Sequence, residues 1–275
     1  MVELPVPDYL AKLNPHERDE CIKFDAGPHI YTINNDSSKK YTSVTTWNHS
    51  HFAHFDADKI IDNMMRSKKW SESKYYGMTK DEIKASWDKN RDAAAGAGTN
   101  MHYDIECYYN KCPNNNESIE YSYFLRFVAD FPHLKPYRTE WMVFHEELRL
   151  AGSIDMVFDN GDGTLSIYDW KRCKEIKKHD IKCSITPCIE HLPDTNYWHY
   201  CLQLNTYKAI LEEKYGKKIT DLYLVCLHPE NKNNSYIRIK VVDLQIEVRN
   251  LFEYRKNQLL ENEEDLNNKD EEENH

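Results

Sequence analysis

Two aspartates and a lysine stand where a β-hairpin should be most apolar. In AGSIDMVFDNGDGTLSIYDWKR, residues 151–172, Asp155 and Asp169 each interrupt an apolar run, and Lys171 follows Asp169 by two. Side chains alternate along a strand, so Asp169 and Lys171 leave the same face. With the glycine-rich DNGDG as the turn, Asp155 lies on the neighbouring strand close to Asp169. Two carboxylates so placed repel and resist ionising in apolar surroundings. A divalent cation removes the conflict. Mg²⁺ takes hard oxygen ligands at roughly 2.0–2.1 Å, typically one or two carboxylates plus water and a phosphate oxygen. Held there, it polarises a phosphate and lowers the pKa of a water. A lysine alongside can position or deprotonate that water and offset developing negative charge.

The acid-x-Lys spacing alone is common in this chain, recurring at Glu72, Glu82, Glu175, Asp180, Glu212 and Glu230. Those copies fall in expected helices, loops or a basic run. Asp169 sits in an apolar strand behind a turn, with Gly152 and Asp155 on the strand before it. The competing account, an exposed hairpin with a surface ion pair, fits that context less well. A calcium loop at DNGDG is excluded by spacing, because Phe158 stands where an acid is needed and no Glu closes the loop.

Two helical pairs gain meaning beside the hairpin. His102 and Glu106 are four apart and share a helix face, as do Gln203 and Tyr207. A neutral imidazole can complete a metal site. The run KRCKEIKKHDIK, residues 171–182, carries six bases and two acids. Its Arg172 and Lys174, with Ser153 on the strand before, are expected to meet substrate phosphates.

The elements that must position these groups are legible in outline. PHIYTINNDSSKKYTSV reads as a hairpin with an Asn/Asp/Ser turn. FDADKIIDNMMRS reads as a helix. Thr79 and Glu82 form a capping box that starts another, GAGT (residues 96–99) breaks it, and Thr99 caps a further helix carrying His102. YSYFLRFVADF is a short helix, then come strands RTEWMVFHEEL, LRLAGSIDMVF and LSIYDWKR, the helix TNYWHYCLQLNTYKAILEEKYG, two more strands and a final amphipathic helix. The expected class is α/β (α+β), a short mixed sheet covered by helices. One domain is expected over residues 1–260, with an N-terminal hairpin and helices in 1–84 and the catalytic core in 85–260.

Net charge is −10, but residues 261–275 hold eight acids and one lysine, leaving −3 on the body. That end reads as a solvated, disordered acidic tail. No apolar run is long enough to span a bilayer, and MVELPVPDYL has neither signal nor transit character. The eight cysteines include no C-x-x-C pair. The expectation is a soluble intracellular protein, cytoplasmic or nuclear, with reduced cysteines. HSHFAH brings His49, His51 and His54 together, but at no standard zinc spacing. With SVTT before it, that segment is also able to touch a phosphate backbone.

GTNMHYDIE, GSIDMVF, SIYDWKR and QLNTY, in that order, resemble the PD-(D/E)XK nuclease superfamily, most closely its RecB-like branch, which includes the mitochondrial genome-maintenance exonuclease and the CRISPR-associated adaptation nucleases. The resemblance covers about residues 85–230. It implies a restriction-endonuclease-like core with N-terminal helical additions. It implies Mg²⁺ or Mn²⁺ held by His102, Asp155, Asp169 and the Trp170 backbone carbonyl, with Lys171 catalytic. Gln203 and Tyr207 match a helix motif near the substrate strand, and Glu140 a supporting glutamate. Glu106 assists a second metal or orients His102. Several relatives carry an iron–sulfur cluster with three late cysteines; only Cys226 follows Gln203 here, so no cluster is expected, nor a nucleotide cofactor. The implied activity is metal-dependent cleavage of DNA, with single-stranded ends as substrate, in replication, repair or recombination. The alternatives are a non-catalytic nucleic-acid-binding module on this fold and an RNA endonuclease of the cap-snatching type.

Overall fold

The computed structural model describes residues 6–273, with side chains to residue 262. A short helix α1 (Tyr9–Leu13) precedes a small hairpin of β1 (Ile22–Asp25) and β2 (Ile30–Ile33). A two-residue strand β3 (Thr42–Ser43) leads into α2 (Val44–Ser50) and α3 (Ala57–Met65), followed by the long α4 (Lys80–Tyr109) and α5 (Ile119–Asp130). Then come β4 (Lys135–His145), β5 (Leu150–Asp159), β6 (Leu165–Lys171), α6 (Asn196–Lys214), β7 (Ile219–Cys226), β8 (Ile237–Lys240) and α7 (Gln245–Glu273). The side chains and final residues of the expected acidic tail lie largely outside the described residues.

The main sheet has six strands and is mixed. β4, β5 and β6 form an antiparallel meander, β7 runs parallel to β6, and β8 closes the far edge antiparallel to β7. β3 pairs in parallel with the start of β5, at Leu150 and Ala151. The β5–β6 turn is the one read from sequence. Gly161 and Gly163 adopt φ of 81° and 84°, which favours glycine, and the Asp159 and Asp162 side chains accept from Gly161 and Thr164 amides.

Each face of the sheet is buried against helices. On one side α2, α6 and α7 contribute Trp47, Leu202, Ile210 and Phe252 to a core with Ile154, Val157 and Ile167. On the other, α4 and α5 contribute Met101, Ile105, Phe124 and Phe127 to a cluster with Met156, Phe158, Tyr168 and Trp170. α6 is buried nearly all round between Cys201 and Leu211, as expected of a helix inside a domain. Its buried Asn205 is fully used, donating to the Cys201 and Val242 carbonyls and accepting from the Leu244 amide.

Two expectations are corrected. GAGT does not break a helix: α4 runs unbroken for 30 residues, with Gly96, Gly98 and Thr99 inside it. The capping box at Thr79 and Glu82 is present, and both ends are anchored by burial, Ile83 at one and Met101, Ile105 and Cys107 at the other. Packing at the two ends outweighs the weak helix propensity of two glycines between them. The N-terminal hairpin turns earlier than read, pairing Ile22 with Ile33 around residues 26–29. NNDSS leads out of it towards β3, because Val44 and Trp47 just beyond are buried in the main core.

Candidate active site

β5 and β6 part where the acids stand. Their ladder holds from Asp159↔Leu165 to Met156↔Tyr168 and stops there. The next opposed positions are Asp155 and Asp169. On its other edge β6 pairs with β7 along its whole length, from Leu165 to Lys171, so Asp169 to Lys171 are held from that side alone. The facing of β5 also shifts at this level. Ile154 packs on the α6 side, while Met156, which simple alternation would place with it, packs on the α4/α5 side. On β4, Glu140 is skipped between the pairs Thr139↔Met156 and Trp141↔Ile154 and has φ of 41°. A non-glycine residue held there is strained. The kink aims Glu140 and Asp155 into one fork.

His102 reaches the fork from α4. Asn110, at the C-cap, locks that helix to β4 by donating to Thr139 Oγ1 at 2.7 Å. His102 Nε2 lies 2.9 Å from the Trp170 carbonyl, and Nδ1 lies 3.6 Å from both Glu140 Oε1 and Asp155 Oδ2. Asp155 Oδ2 accepts from the Trp170 amide at 2.9 Å, and Ser153 Oγ donates to Glu140 Oε2 at 2.8 Å. One nitrogen of His102 and one oxygen each of Glu140 and Asp155 lie within 4.8 Å of one another.

Asp169 and Lys171 share a face, as alternation requires. Lys171 Nζ is 2.7 Å from Asp169 Oδ2. It also stands 3.5 Å from Gln203 Oε1 and 4.7 Å over the Tyr200 ring, both on α6. Tyr207, one turn beyond Gln203, packs against Gly152. A Cβ there would fall 2.6 Å from the Tyr207 hydroxyl, so the approach demands glycine.

The electrostatics are those of crowded carboxylates. Burial raises the Asp155 carboxyl, and Glu140 adds to it against the pull of His102 and Lys171. Burial lifts Asp169 to about 7, with Asp155 adding to the rise against Lys171. Burial and then Glu140 lift Glu106 to about 7. Burial opposes the His102 imidazolium, but Asp155 and Glu140 outweigh it and raise His102 to about 9. Burial likewise opposes the Lys171 ammonium, and Asp169 and Asp155 overcome it, so Lys171 stays charged. Imidazole nitrogen, carboxylate oxygens and a backbone carbonyl are a donor set suited to a hard or borderline divalent cation. The raised carboxyls mark a place where positive charge is short.

Of the residues read from sequence, the fork brings together His102, Asp155, Glu140, Asp169, Lys171 and the Trp170 backbone, with Gln203 and Tyr207 behind. Glu106 makes no hydrogen bond to His102; the imidazole is oriented by the Trp170 carbonyl and by Glu140 and Asp155. Ser153 is engaged with Glu140. Arg172 Nε is paired with Glu120 at 2.7 Å and Lys174 with Glu230 at 2.5 Å, so neither is poised for a phosphate without leaving its partner. The three early histidines do not converge. His51 is buried against Thr186, His49 packs edge-on to His199, and His54 is exposed. The sequence reading gave Glu140 only a supporting place. Its membership of the histidine–carboxylate cluster depends on the β4 kink, for which no local motif exists.

The PD-(D/E)XK nuclease superfamily matches residues 66–273, and the chain belongs to that family. No curated protein matches it. Among solved structures, an alkaline exonuclease from Laribacter hongkongensis aligns with a TM-score of 0.36 and 13% identity, over 82% of this chain and 98% of its own. A protein of Eubacterium rectale assigned as an exonuclease aligns with a TM-score of 0.29 and 14% identity, over 57% of this chain and 73% of its own. Among the described residues no helix is long and apolar enough to cross a membrane.

Proposed function

We propose that the protein is a metal-dependent deoxyribonuclease that cleaves phosphodiesters at single-stranded DNA ends, serving replication, repair or recombination. The observation that carries this reading is the fork itself. Asp155 and His102 meet at the backbone of Trp170, one residue before Lys171 and one after Asp169. Family membership supports nucleic-acid hydrolysis as the chemistry.

His102, Glu140 and Asp155, with the Trp170 carbonyl and Asp169 adjoining, are the residues that would hold the cation. When bound, Mg²⁺ or Mn²⁺ supplies a polarised phosphate oxygen and a water of lowered pKa. Asp169 Oδ2 is paired with the Lys171 ammonium at 2.7 Å, which keeps the carboxylate and the lysine on one side of the fork. Lys171 keeps its proton beside Asp169, which fits a donor that neutralises charge on the phosphate better than a base. Gln203 and Tyr200 fix the position of that ammonium from α6. Tyr207 seats against Gly152 and sets the distance between α6 and β5.

Labelled single-stranded DNA, duplex DNA and RNA, each with and without Mg²⁺ or Mn²⁺, test the proposal. Single-stranded DNA should be shortened from an end only when metal is present. Asp155→Asn, Asp169→Ala and Lys171→Met should each keep the fold and lose about a hundredfold or more in rate. Undiminished cleavage by Asp169→Ala, or cleavage in excess chelator, would refute it.

A further inference from the structure

Beside Lys171, on the α2/α6 side of the sheet, lies a cavity of about 90 Å³. We propose that it is a phosphate seat, taking a phosphate of the substrate strand next to the one being cut, or the phosphate at the strand's end. The inference rests on the nuclease reading for its substrate, though not for its ligand chemistry.

The lining is rich in donors. Lys171 and Gln203 reach it from the catalytic fork, His199 and Tyr200 come from α6, and Asn48 and His49 come from α2. Among the described residues no carboxylate lines it. Two of the lining groups are paired with acids outside it, Lys171 Nζ with Asp169 at 2.7 Å and His199 Nε2 with Asp194 at 3.0 Å. A cavity of about 90 Å³ has room for a phosphate group.

Asn48 is the second, independent sign. It is only 2% exposed, yet neither its amide nitrogen nor its amide oxygen has a partner among the described residues. A buried amide is normally satisfied by protein or water, and leaving it open destabilises the fold. Asn205, equally buried on the facing helix, has every such bond made. An amide N–H₂ left without a partner at a cavity wall next to a catalytic lysine is accounted for if a ligand oxygen accepts from it. The His49 and His199 rings stand edge to face with centroids 4.9 Å apart. Desolvation lowers both from the ordinary histidine range, only in part for His49, which keeps an exposed side, and the Lys171 charge adds to the effect there. A bound anion would relieve that and draw protons onto the two rings.

The test uses the full chain in chelator, with inorganic phosphate as the probe and the ring C–H signals of His49 and His199 as the readout. Phosphate should move both signals in the native protein and neither in Asn48→Leu. That variant should melt at the same temperature or higher, because it removes two orphaned polar atoms. With metal restored, Asn48→Leu should raise KM for single-stranded DNA about tenfold, the value of one hydrogen bond to a charged group, and leave kcat nearly unchanged. Oligonucleotides carrying one neutral methylphosphonate, or a 5′-hydroxyl in place of a 5′-phosphate, identify the source. The variant's defect should vanish only for the linkage or end that occupies the seat. Unmoved histidine signals, or a defect identical on every oligonucleotide, would overturn the seat while leaving the nuclease reading intact. Phosphate binding without cleavage of any nucleic acid would sink the nuclease reading and leave the seat standing.

Discussion

His102 and Asp155 approach each other across the backbone of Trp170: the carboxylate takes its N–H, and the imidazole lies against its C=O. In the metal-free protein the imidazolium is the cation that holds this cluster together. His102 is raised from 6.5 to about 9. Its contribution is therefore complete below pH 6.5 and is lost as pH rises through 9, roughly 3 kcal/mol in all. Asp169 and Glu106, both raised to about 7, act in the same direction, since their neutral forms are favoured in the fold and ionise as pH passes 7. In chelator the melting temperature should fall between pH 5 and 9. Excess Mg²⁺ or Mn²⁺ should flatten that slope, and His102→Gln should reduce it. A melting temperature that climbs steadily to pH 9 without metal would contradict this account.

Glu140 should behave as a ligand, not as scaffolding. Its Oε1 belongs to the cluster with His102, and its Oε2 is held by Ser153. Removing the outer hydroxyl should weaken metal affinity about tenfold, the usual size for a partner one step from a ligand. Glu140→Gln should exceed Ser153→Ala by about another factor of ten or more. Calorimetric titration with Mn²⁺ measures both. Equal effects of the two substitutions would return Glu140 to a supporting place.

The hairpin was readable because it is local. The alternation of 165–171, the DNGDG turn and the acids within it are all specified by neighbours in sequence. So were the helix pairs His102/Glu106 and Gln203/Tyr207, though nothing local said that α4 and α6 would deliver His102 and Gln203 from opposite faces of the sheet. Glu140 required the β4 kink, a tertiary strain with no sequence signature. Arg172 and Lys174 look like free cations in the sequence. Their partners, Glu120 and Glu230, lie far along the chain and appear only once α5 and the loop after β7 are in place. The glycines of GAGT misled because propensity is a weak force beside burial at both ends of a helix.

Gly152→Ala should damage the fork without touching a charged group. The added carbon meets the Tyr207 hydroxyl at 2.6 Å and ring carbons at 2.9 and 3.2 Å, and Tyr207 is itself buried. Overpacking of this kind costs about 1–3 kcal/mol. Because the hydroxyl is the nearest atom, Tyr207→Phe added to Gly152→Ala should recover part of the loss. Denaturant titration of the two single variants and the double variant gives the coupling. Strict additivity would mean that the two positions do not press on each other.

Gly96 and Gly98 offer the opposite case, a pair of glycines that the fold does not need for space. Both lie inside α4, neither has a positive φ, and a Cβ at either would meet nothing within 4 Å. Alanine in a helix interior is favoured over glycine by about 0.5–1 kcal/mol, chiefly by restricting the unfolded chain. Gly96→Ala with Gly98→Ala should therefore add about 1–2 kcal/mol to stability, read as a higher melting temperature. Because α4 carries His102 a few residues beyond, the same pair tests whether catalysis wants a pliable helix. If the glycines are only tolerated, cleavage of single-stranded DNA should be unchanged. If the segment must bend to admit a strand, the stabilised variant should lose turnover while its metal affinity, set at the fork, stays as it was. A double variant that is less stable than the native protein would show that α4 does not hold its helical path through these two positions.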